Sequence, residues 1–155
     1  MEYLDEPEYT IDVLCYKGKT FAIVPRKRLK MIGGITQNGV IEALNEKTHT
    51  YIEQLIESFG FSYSVGLQIR KSTFNEDLFH IIEINPRLQG TTVMSVAAGI
   101  NIPEKVVDMA LKQFDFNFKP KIRYGLKLER TFYEIFEYNN KVYNLEDIDK
   151  LNKND

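Results

Sequence analysis

The chain has 155 residues, 43% hydrophobic, 27% charged and 12% aromatic, with 20 basic residues against 22 acidic for a formal net charge of -2. That composition excludes wholesale disorder and fits one folded domain. The charge balance gives no global positive field for nucleic acid or an acidic membrane surface, and no apolar run reaches the roughly 18 residues a spanning helix needs.

A single cysteine, Cys15, and two distant histidines, His49 and His80, leave neither an internal disulfide nor a Cys/His zinc site. The opening Met-Glu-Tyr-Leu-Asp-Glu lacks the basic start and apolar middle of a secretion signal, so a cytoplasmic location is expected.

In chain order, residues 9–16 read as a strand, with Tyr9, Ile11, Val13 and Cys15 on one face and Thr10 and Asp12 on the other. Lys17-Gly18-Lys19 supplies a turn into a second strand, Thr20 to Val24, which Pro25 is expected to end. The basic cluster Arg26-Lys27-Arg28-Leu29-Lys30 follows, then a Gly33-Gly34 turn and a strand around 35–42. A helix is expected over 46–59, because Ile52, Leu55, Ile56 and Phe59 form one stripe and Gly60 sits at the C-terminal cap. Residues 64–70 and 78–85 are two strands joined by a polar loop. A short helix near 92–98 closes at Gly99, and Pro103 opens another over 103–113 that buries Val106, Val107, Ala110, Leu111 and Phe114. A strand near 124–130 follows, with its aromatics placed for sheet packing. Residues 136–155 read as a polar tail, with room for a short strand after Asn140 and a frayed end from Leu151. Hairpins outnumber crossovers, so the expected class is α+β, a mainly antiparallel sheet with packed helices.

The segment Phe79-His-Ile-Ile-Glu83-Ile-Asn85-Pro-Arg87 carries the chemistry. Alternation puts Glu83 and Asn85 on one face, about 6.5–7 Å apart at Cα, and sends Ile82 and Ile84 to the other with His80, a core or edge histidine. A hairpin symmetric about Asn75-Glu76 sets Gln68 opposite Glu83, on the polar face, because Val65, Leu67 and Ile69 take the apolar one. Gln68, Glu83 and Asn85 then offer three oxygen ligands from two strands. One carboxylate with two amides suits Mg²⁺, which fills its shell with water and phosphate oxygens. Arg87 adds a guanidinium shaped for phosphate, and metal plus arginine is what electrostatic catalysis of phosphoryl transfer needs. Solvated polar residues before an Asn-Pro turn would read the same way.

The run from Glu83 through Leu88-Gln-Gly-Thr-Thr-Val-Met-Ser-Val-Ala-Ala-Gly-Ile-Asn-Ile-Pro103 closely resembles the C-terminal half of ATP-grasp domains, especially those of the carbamoyl-phosphate synthase large subunit and its carboxylate–amine ligase relatives. Glu2 to Val13 looks like the family's hinge and following strand, and Val24-Pro-Arg-Lys-Arg28 and Val65-Gly-Leu-Gln68 match in order. The resemblance covers about residues 2–130 and implies a partial ATP-grasp domain over 1–135. It implies ATP with Mg²⁺, or Mn²⁺, as cofactors, with Gln68, Glu83 and Asn85 as the metal ligands. Arg87 would stabilise charge on the transferring phosphoryl group. Backbone groups near Glu2 to Leu4 would hold adenine, and Glu8 would accept from the ribose hydroxyls. Arg26 and Arg28 would contact phosphate or the acyl substrate, and Thr36 a phosphate.

The reaction implied is formation of an acyl phosphate from a small-molecule carboxylate, then attack by an amine. The lobe that supplies lysines and a glycine-rich loop is not apparent. The partner implied is therefore a separate N-terminal lobe or a second copy, meeting an unusually apolar face, and weak Mg·ATP binding with little turnover is expected of this chain alone. A non-catalytic interaction module and half of a split enzyme stay open, while nucleic-acid and membrane partners are not expected.

Overall fold

The computed structural model describes residues 4, 7–75, 78–131, 133–144 and 146. Among them, strands β1 (Glu8–Tyr16), β2 (Lys19–Ile32) and β3 (Ile35–Ile41) precede helix α1 (Glu46–Phe59). Strands β4 (Tyr63–Lys71) and β5 (Phe79–Asn85) follow, then helices α2 (Val93–Ala97) and α3 (Ile102–Ala110). The short strands β6 (Lys127–Glu129), β7 (Ile135–Tyr138) and β8 (Lys141–Asn144) complete the order. One six-stranded sheet runs β5-β4-β1-β2-β3-β6 and every pairing in it is antiparallel. β7 and β8 form a separate hairpin. This is the expected α+β class. No helix among the described residues is long and apolar enough to cross a membrane.

Two cores lie on opposite faces of the sheet, and the alternation in β1 makes both. Tyr9, Ile11, Val13 and Cys15 point into a cluster with Val65, Leu67, Ile69 and the α1 stripe residues Ile52 and Ile56. Helix α1 is held at both ends: Asn45 Oδ1 accepts from Thr48 N–H at 2.8 Å, and Gly60 turns left-handed at φ 63°. On the other face Leu14 joins Ala22, Val24, Ile41, Met94, Ala98, Ile102 and Met109 beneath α2 and α3. That second core covers only one end of its face. Towards the start of β1 the same face carries Asp12, Thr10 and Glu8, all buried, and the polar site is built there.

Four local expectations are corrected. β2 runs through Pro25 to Ile32, so the basic cluster lies within a strand. The Pro25 carbonyl accepts from Glu42 N–H, so its backbone edge faces the β3 side, where β3 has just ended at Ile41 and no ladder donor is lost. β5 carries a bulge, because Gln68 pairs with Glu83 while Ile69 pairs with Ile81. The extra residue is Ile82, which is exposed, and the core takes Phe79, Ile81 and Ile84. His80 is therefore exposed and opposite Arg70, not on a core face. In α3 the buried residues are Ile102 and Met109 with Val106 packed beside them, while Val107, Ala110 and Leu111 face solvent.

Candidate functional site

The ladder registers place polar groups in rows across the sheet. Glu83 lies opposite Gln68, Gln68 opposite Thr10, and Thr10 opposite Arg26. Directly opposite residues share a face, so all four side chains rise on the same side. One step along, Asn85 lies opposite Gly66 and Gly66 opposite Asp12. One step the other way, His80 lies opposite Arg70 and Arg70 opposite Glu8. Asn85 Nδ2 donates to Glu83 Oε1 at 2.6 Å, so the carboxylate and the neighbouring amide are already joined. Gly66 has a steric reason to be glycine: a Cβ there would sit 2.0 Å from Gln89 Nε2, because the Gln89 side chain lies across the strand at that point.

Two arginine networks fix the floor and one wall. Arg26, 2% exposed, grips Asp12 with both Nη atoms, Nη2 donating to Oδ1 at 2.8 Å. Ser95 Oγ of α2 accepts from Arg26 Nη1 at 2.9 Å and donates to Asp12 Oδ2 at 2.7 Å. This triad pins α2 to the sheet. Glu8, 5% exposed, accepts from Arg28 Nη1 on one oxygen and from Arg70 Nη2 at 2.8 Å on the other. Arg70 Nη1 also donates to the Leu4 carbonyl at 3.2 Å, and Arg28 Nη2 to the Gly34 carbonyl at 2.6 Å. Arg28 therefore bridges the sheet to the β2–β3 turn.

Beside these networks lies a cavity of about 160 Å³ lined by Thr10, Arg28, Gly34, Ile35, Thr36, Gln68, Gln89, Gly90, Thr91 and Arg130. The structure thus gathers Arg28, Thr36 and Gln68 around one space, with Glu83 and Asn85 on the strand next to Gln68. Arg26 lies beneath this face with its Nη donors turned to Asp12 and Ser95. Glu8 stands behind Arg28. Arg87 is exposed in the turn after β5 and does not line the cavity; its Nη1 donates to the Leu88 carbonyl at 3.1 Å. Leu4 presents its carbonyl to Arg70, and Glu2 lies outside the described residues.

Sequence reasoning missed Arg130, Gln89, Thr91 and Thr10 at the cavity. For Arg130 a signal existed: the strand expected near 124–130 puts Leu126, Leu128 and Arg130 on one face, and both leucines pack on the core beneath α2 and α3. Arg130 Nη2 donates to the Gly90 carbonyl at 2.7 Å.

A six-stranded antiparallel sheet of this order, with one helix on one face and two on the other, is an arrangement that known ATP-grasp proteins share. Residues 1–131 match the model of the family described as ATP-grasp in the biosynthetic pathway with Ter operon, and the chain belongs to that family. No curated protein matches it by sequence. Solved structures share the fold. The biotin carboxylase β,γ-ATP complex from Campylobacter jejuni aligns with a TM-score of 0.62 at 21% identity, covering 81% of this chain and 29% of that one. The biotin carboxylase domain dimer of Hydrogenobacter thermophilus 2-oxoglutarate carboxylase, in complex with MgADP, ADP and bicarbonate, gives 0.62 at 16% identity with the same coverages, 81% and 29%. The K. lactis urea amidolyase gives 0.62 at 18% identity, covering 78% of this chain and 8% of that one. The chain therefore spans less than a third of these proteins, and the likeness is one of fold.

Proposed function

We propose that this chain is the ATP- and Mg²⁺-binding lobe of an ATP-dependent ligase that activates a carboxylate as an acyl phosphate for attack by an amine, in the manner of carbamoyl-phosphate synthase. One observation carries the reading: Gln68 and Glu83 are direct ladder partners, with Asn85 hydrogen-bonded to Glu83 on the same face. The donor set fits Mg²⁺. It holds one carboxylate and two amides, and no group of three or more Asp, Glu, His or Cys side chains is placed to hold a metal among the described residues. An ion held so sparsely must bring much of its shell with it, as Mg²⁺ does with phosphate oxygens and water. Mn²⁺ would be accepted by the same donors.

Gln68, Glu83 and Asn85 would hold the ion, which when bound would neutralise charge on the nucleotide's phosphates. The chain's own work is positioning and charge. Arg87, exposed and paired with no carboxylate among the described residues, can swing from the Leu88 carbonyl towards a transferring phosphoryl group. Leu4 and its neighbours would meet adenine. Glu8 would reach a ribose only by releasing an arginine, so its present geometry supports a bracing part better than a ribose contact. Leu29, Ile32 and Ile35 on β2 and β3, with Val107 on α3 and Leu111 just after it, are exposed, which supports cover by a separate lobe or a second copy.

The test is calorimetric titration of Mg·ATP into the 155-residue chain and into Glu83→Ala. Weak, Mg²⁺-dependent binding is expected in the first and none in the second. Binding that survives Glu83→Ala unchanged would remove the metal assignment and favour a non-catalytic module.

A further inference from the structure

Strand β2 has an unfinished edge. From Lys19 to Val24 it pairs with β1 only, because its ladder with β3 begins at Arg26 and Ile41. The Pro25 carbonyl accepts from Glu42 N–H at 3.2 Å, so Pro25 faces the β3 side. Backbone groups alternate along a strand, and the register from Ala22 to Pro25 is unbroken. The Ile23 N–H and C=O therefore face that side too. Their partner there would be Leu44, but the chain has turned away, with Leu44 packed on the α1-side core and Asn45 capping α1. Ile23 is 4% exposed, and no ladder or loop hydrogen bond answers its outward donor and acceptor among the described residues. Buried backbone groups are nearly always paired. The edge borders a groove of about 300 Å³, with Thr20 to Ile23 along it, Glu53 of α1 on one wall and Ile122 and Tyr124 on the other. The Thr20 hydroxyl oxygen in this groove is also buried without a hydrogen-bond partner.

We propose that this edge takes an added strand: an extended, acidic segment of a partner protein pairs with Ile23 and lies in the groove. An extended backbone offers an acceptor and a donor to one residue at once, and strand addition to an open sheet edge uses both. Charge selects the segment. Lys17 and Lys19 line the adjoining hollow at the hairpin turn, and Lys119 and Lys121 flank Pro120 on the opposite wall. All four are exposed, and none makes an ion pair among the described residues. Of the two acids beside them, Glu53 already faces His49 at 3.7 Å, which leaves Glu57 against four lysines. A second copy fits poorly, since its matching edge would bring Lys17 and Lys19 to a surface already rich in lysine, and like charges across paired strands destabilise them. β2 lies three strands from β5, about 14 Å across the sheet, and the groove opens on its far side. Occupancy of the groove therefore does not depend on the ligase chemistry.

The test follows the Ile23 amide. In the free chain, at a concentration where sedimentation shows a monomer, it should exchange hydrogen about tenfold or more faster than the Ala22 and Val24 amides, which face β1. The probe is a capped six-residue peptide of alternating glutamate and valine, titrated to millimolar concentration into the ¹⁵N-labelled chain. It should shift Thr20, Phe21 and Ile23 and slow Ile23 exchange by about tenfold. The same peptide N-methylated at alternate residues, which cannot pair, should bind more weakly. So should a peptide with lysine in place of glutamate. The double variant Lys119→Glu with Lys121→Glu should weaken the glutamate peptide, and Lys19→Glu should do the same and decides the matter if the double variant does not fold. An Ile23 amide as protected as Ala22 in the free monomer, no effect of the glutamate peptide at Ile23, or equal binding of either control peptide would overturn the proposal.

Discussion

Two buried residues make the clearest single-residue predictions. Asp12 and Arg26 are both nearly inaccessible and answer each other's charge. Removing one partner strands the other in a low dielectric, so Asp12→Asn or Arg26→Met should each cost about 3–5 kcal/mol in urea unfolding, and the double change Asp12→Leu with Arg26→Met should recover part of it. Cys15 has no access to solvent and burial pushes its thiol from 9.0 up to about 12. Tyr9 is pushed up too, first by burial and then by its hydrogen bond to Glu42. Both neutral forms are favoured in the folded state. Stability should therefore be fully present below about pH 9 and fall as the pH rises towards 12, by up to about 1.4 kcal/mol per pH unit for each group. Urea unfolding across the alkaline range checks this, and Cys15→Ala should flatten part of the fall. Legibility at this scale follows contact range. The Gln68–Glu83 pairing could be read because one short hairpin sets it. The Asp12–Ser95 and Arg130–Gly90 contacts, 83 and 40 residues apart, depend on how α2 and β6 fold back.

Elements were legible where one signal decides and not where two compete. Helix α1 spans the residues that its stripe and Gly60 mark, and the structure adds Asn45 as its N-cap. Asn45→Ala should cost about 1 kcal/mol in chemical unfolding without moving Mg·ADP shifts, since α1 packs on the face away from the site. β2 was cut short at Pro25 because proline is a strand breaker in isolation. Only the end of β3 shows that its missing N–H falls where no partner waits. The Ile82 bulge leaves no sequence trace, as two consecutive isoleucines suit either register. Helix α3 offered overlapping apolar stripes, and the tertiary contact chose the one through Ile102, Val106 and Met109. Gly66 is where an element and the site meet. In Gly66→Ala the new Cβ would fall 2.0–2.4 Å from Gln89 Nε2, Cδ and Cγ, so the Gln89 side chain has to leave β4, and unfolding free energy should fall by about 1–3 kcal/mol. The Gln89 side-chain amide resonance should move strongly, and an unmoved resonance would show that Gln89 does not lie over β4.

At the scale of the whole molecule, stability follows position in the sheet. β1 is paired on both sides and contributes side chains to both cores, so its amides cannot open unless both cores open. β5 and β6 are edge strands with one partner each. The β7–β8 hairpin pairs only with itself and leaves Ile135, Tyr138 and Val142 exposed, with Tyr143 its one buried apolar residue. A lone two-stranded hairpin is marginal in water, and local opening free energies in one protein run from near zero up to the global value. Hydrogen exchange should therefore be slowest at Ile11 and Val13, with a denaturant dependence equal to that of global unfolding. Residues 135–138 and 141–144 should exchange fastest among the strands and show almost no denaturant dependence. Protection of the hairpin equal to that of β1, at a protein concentration where sedimentation shows a monomer, would mean that the hairpin is part of the main cooperative unit and that this ordering is wrong.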